Sequence, residues 1–411
     1  MLNLIWCAFF LISVLYALIH FAISGEITFL EKMVNSTFAM SKTAFEISIG
    51  LTGIMAFWLG MMNIAEKAGL VQKLALLVSP IMTRIFPEVP KDHPAMGSMM
   101  MNLAANMLGL DNSATPLGLK AMKELHELNP KKDTASNAQI MFLVVNTSAV
   151  TLIPVSIFSY LYELGHKNPA ELFVPILLAT FCSTFFGVLI TSLIQKQNIF
   201  KSGLFPIFLI FGLLLGLFAW FLVSLKTSQV QFVSQSLSYV VILLIVSSFV
   251  FSGLIKRRNV YEDFVEGAKE GFKVAIMVIP YLVAMLVAIG IFRASGCMEF
   301  VIETLRSFFA LFLSGRALEF VDALPTAFMK PLSGSGARGL MIDTIKTHGV
   351  DSLVASMVAT IQGSTETTFY VLAVYFGSVQ IRKTRHAIIG GLSADFFGIL
   401  SAIIISYLFF A

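Results

Sequence analysis

The chain has 411 residues, of which 57% are hydrophobic and 13% charged, with a mean hydropathy of +0.85. A soluble domain carries about 25% charged residues, so this composition excludes a soluble globule and indicates an integral membrane protein. The net charge of +4 is explained by basic membrane loops rather than by nucleic-acid binding, and Cys7, Cys182 and Cys297 are too scattered for a disulfide framework or a zinc motif.

Crossing the hydrocarbon core takes about 20 apolar residues. The first such run, 3–24, lacks a basic leader and reads as a retained span rather than a cleaved signal. Further spans are predicted at 46–66, 138–162, 169–194, 204–225, 236–255, 274–294, 352–377 and 387–410. Two apolar stretches, 94–125 and 321–346, are interrupted by Gly, Pro, Ser or Asn and read as re-entrant hairpins. Segments 71–87 and 297–314 are amphipathic and are expected along the interface. The fold class is therefore an all-α polytopic membrane protein, with about nine transmembrane helices plus two re-entrant hairpins in two inverted repeats. With the N-terminus cytoplasmic, most of the 28 Lys and Arg residues fall in inner loops, including "KRR" (256–258) and "RKTRH" (382–386).

The repeat is visible in the order of features after about 220 residues. "MFLVVNTSAVTLIPVSIF" (141–158) aligns with "MVATIQGSTETTFYVLAV" (357–374), which sets Asn146 on Gln362, Ser148 on Ser364 and Thr151 on Thr367. "DNSATPLGL" (111–119) falls loosely on "LSGSGARGL" (332–340).

Both aligned spans are polar at their centres. An ionised side chain at mid-bilayer costs a few kcal/mol or more, so Glu366 must be partnered, protonated or wet. At about 100° per residue, Gln362, Thr365 and Glu366 fall on one arc and Ser364, Thr367 and Thr368 on the opposite one. No single helix face hides them all, so the helix is expected to open near Gly363 beside a wet cavity. The twin, with Asn146, Thr147, Ser148 and Thr151, carries Pro154, which removes a backbone donor. The hairpin tips offer Asp111, Asn112 and Ser113 in one half and Ser333 and Ser335 in the other. Bland readings stand beside these. Membrane Ser and Thr often bond to the preceding turn, Glu366 could pair with Arg338, and His126 reads as a solvated loop residue. Asp395, inside the last span, is a second intramembrane acid to be explained.

These residues carry a resemblance. "MKPLSGSGARGLMIDT" and "ATIQGSTETTFYVLAVYFGSVQIRKTRHA" resemble spore maturation protein B, and "NLAANMLGLDNSATPLGLKAM" and "NTSAVTLIP" resemble spore maturation protein A. The A-like part lies near 1–200 and the B-like part near 201–411, as a fusion. That group is placed with the nucleoside-recognition or gate domain, similar to parts of concentrative nucleoside transporters and of the ferrous iron transporter's membrane domain. The resemblance implies a multi-pass protein of the bacterial cytoplasmic (inner) membrane and a solute or ion path. The absence of Cys or His at the proposed site argues against iron.

The expected activity is transport of a small polar solute, nucleoside-like, or of a cation. The substrate- or ion-binding residues would be Glu366, Gln362, Ser364, Thr367, Ser333, Ser335, Asn146, Ser148, Asp111, Asn112 and Ser113. No cofactor, metal or nucleic acid is expected, the lipid bilayer is a partner, and a homo-oligomer stays open. The alternative is a non-transporting membrane receptor or scaffold in envelope or spore maturation. An intramembrane enzyme is disfavoured, because no nucleophile–base pair is evident.

Overall fold

The computed structural model describes residues 2–197, 203–224 and 227–411, all of them helix, turn or loop apart from one isolated β-bridge. Among the described residues, six helices are long and apolar enough to cross a membrane. They are α1 (Leu2–Ser24), α2 (Thr28–Lys67), α8 (Phe173–Ile194), α10 (Thr227–Ile255), α11 (Val260–Ala294) and α17 (Ala387–Phe410). α9 (Leu204–Ser224) supplies a shorter apolar stretch among its described residues. The other two predicted spans are each split. Residues 138–162 form α6 (Asn137–Thr147) and α7 (Val155–Glu163), and residues 352–377 form α15 (Leu353–Ser364) and α16 (Thr368–Ser378).

The interrupted stretches are helical hairpins. α4 (Pro94–Met107) turns at Gly109, whose φ is 71°, into α5 (Asp111–Leu128). α13 (Leu324–Met329) turns into α14 (Gly334–His348), whose start is capped by Ser333 Oγ accepting from the Gly336 N–H at 3.0 Å. The amphipathic segments are α3 (Leu70–Ile85) and α12 (Cys297–Phe309), each entered through a left-handed glycine, Gly69 and Gly296. One series of elements thus occurs twice: long helix, glycine turn, amphipathic helix, hairpin, split helix, span.

Corresponding long helices pair, and they run antiparallel. Lys67 at the end of α2 bonds Asp263 at the start of α11 at 3.1 Å, while Met40, earlier in α2, packs at Gly290, late in α11. Small residues permit this approach. A Cβ at Gly271 would stand 2.4 Å from the Ala56 Cα, and one at Gly267 would stand 2.5 Å from the Leu59 carbonyl oxygen. Gly267 and Gly271 are four apart, the spacing that lets membrane helices touch along one backbone face. α8 and α17 repeat the scheme: Thr191 lies against Gly390, and Ser183 lies against Gly398 and donates to the Ala394 carbonyl at 2.9 Å.

Loops gather at the two ends. At one end Asp133 accepts the Arg382 and Lys383 N–H groups at 3.0 and 2.9 Å through its carbonyl, and Arg385 donates to the Ala135 carbonyl at 2.9 Å. Lys383 Nζ also pairs with the Asp133 carboxylate at 3.1 Å. At the other end Arg293 holds Asp343 at 2.6 Å, tying α11 to α14. α1, α9 and α10 present large apolar side chains outward, as lipid-facing helices do.

Candidate functional site

The splits decide the centre of the molecule. After Thr147 the chain leaves the helix for 148–154, where Pro154 supplies no N–H and disfavours a helical residue before it. The second split is shorter. Thr365 is extended, at φ −147° and ψ 168°, and α16 resumes at Thr368. The opening expected near Gly363 thus falls two residues later. Gly363 stays helical, and Ile176 of α8 fills its flank, 2.8 Å from where a Cβ would stand. Freed backbone groups find partners on the neighbouring hairpins and on each other. Glu366 N–H donates to the Thr147 carbonyl at 2.7 Å, Leu152 N–H to Met107 at 2.8 Å and Phe369 N–H to Pro331 at 3.1 Å. Each split is therefore stitched to a hairpin, and the splits to each other, which is how broken backbone survives at membrane depth.

Both splits and both hairpin turns border one cavity of about 360 Å³. Of the expected residues, Glu366, Gln362 and Thr367 line it. Glu366 is exposed to the cavity, and among the described residues its carboxylate meets no ion-pair partner. Arg338 also lines the cavity but sits over the Tyr160 ring, 5.2 Å from its centroid, and donates weakly to its hydroxyl at 3.4 Å. The Glu366–Arg338 pair does not form. Gln362 Nε2 points to the Gly334 carbonyl at 3.4 Å, and its buried Oε1 has no partner.

The remaining expected residues stand back from the cavity wall. Asn146 is buried behind it, where Oδ1 accepts from Asn106 Nδ2 at 2.9 Å and from the Tyr375 hydroxyl at 3.2 Å, while Nδ2 donates to Phe142. Asn106, not Asn146, reaches the cavity. Ser148 and Ser364 are buried and bond the preceding turns, to Val144 and Ile361. Ser333 and Ser335 bond each other at 3.3 Å at the start of α14, and neither lines the cavity. The side chains of Asp111, Asn112 and Ser113 lie outside the described residues, although α5 begins at Asp111. Asp395 is buried beside the second split, where Thr368 Oγ1 donates to Oδ2 at 2.6 Å.

Sequence reasoning missed Glu66, Asn106, Glu270 and Lys330, all on the wall. Glu66 and Glu270 lie near the charged ends of α2 and α11, where acids are ordinarily solvated, and only the antiparallel crossing brings them to one mouth. Lys330 sits beside the "PLSGSG" tip and could have been read with it.

Comparison with known proteins completes this picture. The family model described as Gate, nucleoside recognition, matches two segments, 48–165 and 275–382, together more than half of the chain. Each matched segment starts within a long paired helix and runs past a split one. Spore maturation protein A of Bacillus subtilis (strain 168) is 38% identical over 190 residues, 46% of this chain and 93% of that protein. Spore maturation protein B of the same organism is 44% identical over 174 residues, 42% of this chain and 95% of that protein. No solved structure matches. The chain is a multi-pass, all-α membrane protein with likeness to both relatives, and it belongs to the nucleoside recognition (Gate) family.

Proposed function

We propose that this protein is a transporter of the bacterial inner membrane that moves a small polar solute, nucleoside-like, or a cation through the central cavity. One observation carries the reading: two split helices and two hairpin turns converge on a polar cavity whose exposed carboxylate, Glu366, has no ion-pair partner among the described residues. In this reading the chain is two gate repeats, near 1–200 and 201–411, related by a two-fold axis in the membrane plane. The antiparallel pairing of α2 with α11 and of α8 with α17 supports it, as does the double match of one family model. The N-terminus is then cytoplasmic, and about nine crossings result when each split helix counts as one.

Within the cavity, Glu366 accepts from a solute hydroxyl or amine, or balances a cation. Gln362 Oε1 accepts a second hydrogen bond, and Arg338 and Lys330 face electron-rich groups. The test is flux into proteoliposomes for nucleosides, nucleobases, amino acids and monovalent cations, with wild type and Glu366→Gln. Transport of one class by wild type, reduced at least about tenfold in the variant, is expected. No flux of any solute in either protein would overturn transport. The receptor or scaffold reading rests on a different observation: both relatives' names speak of spore maturation and not of transport. Recovery of a specific soluble partner on the loop 129–136, without flux, would favour it.

A further inference from the structure

Two opposite charges in the central cavity lack a counter-charge in the protein, and they do not meet each other. Among the described residues, five charged side chains line its wall. Three are engaged elsewhere: Glu270 pairs with Lys273 at 2.6 Å, Glu66 has contacts of its own, and Lys330 acts on the Asp395 carboxyl. Arg338 and Glu366 remain, neither with an ion pair among the described residues. Arg338 sits instead over the Tyr160 ring of α7. Each of the two stands among groups of its own kind. Gly334 opens α14 and lines the cavity, and its N–H finds no acceptor among the described residues. Arg338 is four residues on, so it shares that helix face. A free N–H, the positive end of a 15-residue helix and a guanidinium form a donor set suited to a carboxylate. On the other side, Gln362 is 6% exposed with its Oε1 unpartnered, and Glu366 supplies a carboxylate. These acceptors suit an ammonium. The two sets adjoin, since Gln362 Nε2 reaches the Gly334 carbonyl at 3.4 Å and a Cβ on Gly334 would stand 2.9 Å from Oγ1 of Thr367, the neighbour of Glu366.

On the reading that this cavity is the solute site, we propose that its ligand is a small zwitterion, an amino acid with a primary ammonium and a carboxylate on one short frame. The carboxylate lies on Arg338 and the start of α14, and the ammonium lies between Gln362 Oε1 and Glu366. This narrows the small polar solute to one charge pattern. A ligand that fills the cavity takes water from both charges, and a charge left dry and unpaired is strongly penalised. A neutral solute strands Arg338 and Glu366 together, and a simple cation or anion strands one of them. A ligand with both ends strands neither, so the wall selects by penalising the others. A quaternary ammonium has no N–H to give Gln362, which favours a primary amine.

The test is thermal unfolding of the full chain in detergent at constant ionic strength and pH. The zwitterionic probes are the standard α-amino acids, β-alanine and 4-aminobutyrate, and the controls are propionate, propylamine and uridine. A Tm that rises saturably with at least one zwitterion and with none of the controls is expected in wild type. The rise should be lost in Arg338→Gln and in Glu366→Gln. Arg338→Gln should respond to propylamine instead, and Glu366→Gln to propionate, because each variant keeps one unmet charge. That exchange separates recognition from damage to the fold. No rise with any zwitterion, an equal rise with uridine, or a zwitterion response unchanged in the variants would each overturn the proposal. Should one variant fail to fold, the other decides together with the wild-type series. Uridine flux into proteoliposomes without a zwitterion response would overturn the zwitterion and leave transport standing. A zwitterion response without flux of any solute would do the reverse.

Discussion

Asn146 and Gln362 align in sequence but have opposite surroundings. Asn146 joins Asn106 on α4 and Tyr375 on α16 to its own helix, while Gln362 leaves an acceptor free at the cavity. Asn146→Ala strands the buried Tyr375 hydroxyl, worth about 1–3 kcal/mol when unmet, and frees the cavity-side Asn106 amide, and should lower Tm in detergent. Thr151→Ala, at the cavity wall, should barely move it. Gln362→Leu should leave Tm nearly unchanged but weaken any ligand-induced rise in Tm. Equal losses for the two amides would contradict the division. The alignment set the two amides at corresponding polar positions. It could not show which side chain would turn inward, because that depends on Tyr375, 229 residues further along the chain from Asn146.

Glycines set how closely the helices approach. Gly271 has the Ala56 backbone where a side chain would go, so Gly271→Val must push the α2–α11 pair apart. Overpacking of this kind costs about 1–3 kcal/mol or more, and thermal unfolding should show it. Gly53 on the same α2 meets nothing within 4 Å, and Gly53→Ala should be neutral or slightly stabilising. The helix spans and hairpins were legible because length, apolar content and Gly or Pro punctuation are local properties. The exact opening after Ser364 was not, because there the Glu366 N–H bonds the Thr147 carbonyl, 219 residues away in the chain.

The whole molecule closes through contacts between distant loops. Thr134 bridges Lys383, and Gln195 lies 3.2 Å from His386, so the turns before α6, after α8 and before α17 form one joint. Cysteines placed at 134 and 383, with Cys7, Cys182 and Cys297 replaced by serine, should form a disulfide on oxidation and, once reduced, react with an impermeant thiol reagent from one membrane face only. His386 gives the joint a pH response. Burial first, and then Arg385, hold its pKa below the ordinary 6.5. The unfolded chain therefore takes up the proton before the folded one, and stability falls as pH drops below about 6.5. His386→Gln should flatten that part of the Tm–pH curve, and an unchanged slope would rule His386 out as its source.

Composition and the spacing of apolar runs by themselves determined the membrane class, most of the spans, both hairpins, both amphipathic helices and the polar break that carries Glu366, because each follows from the cost of placing polar groups in hydrocarbon. Tertiary structure alone decided which polar residues face the cavity. Broken backbone must bond to another segment, and the helix pairs meet only where small residues coincide. Those conditions join residues more than 200 positions apart, such as Thr147 with Glu366 and Ala56 with Gly271. They turned Asn146, Ser148 and Ser364 inward, and brought Glu66 and Glu270 to the mouth that Glu366 serves from within.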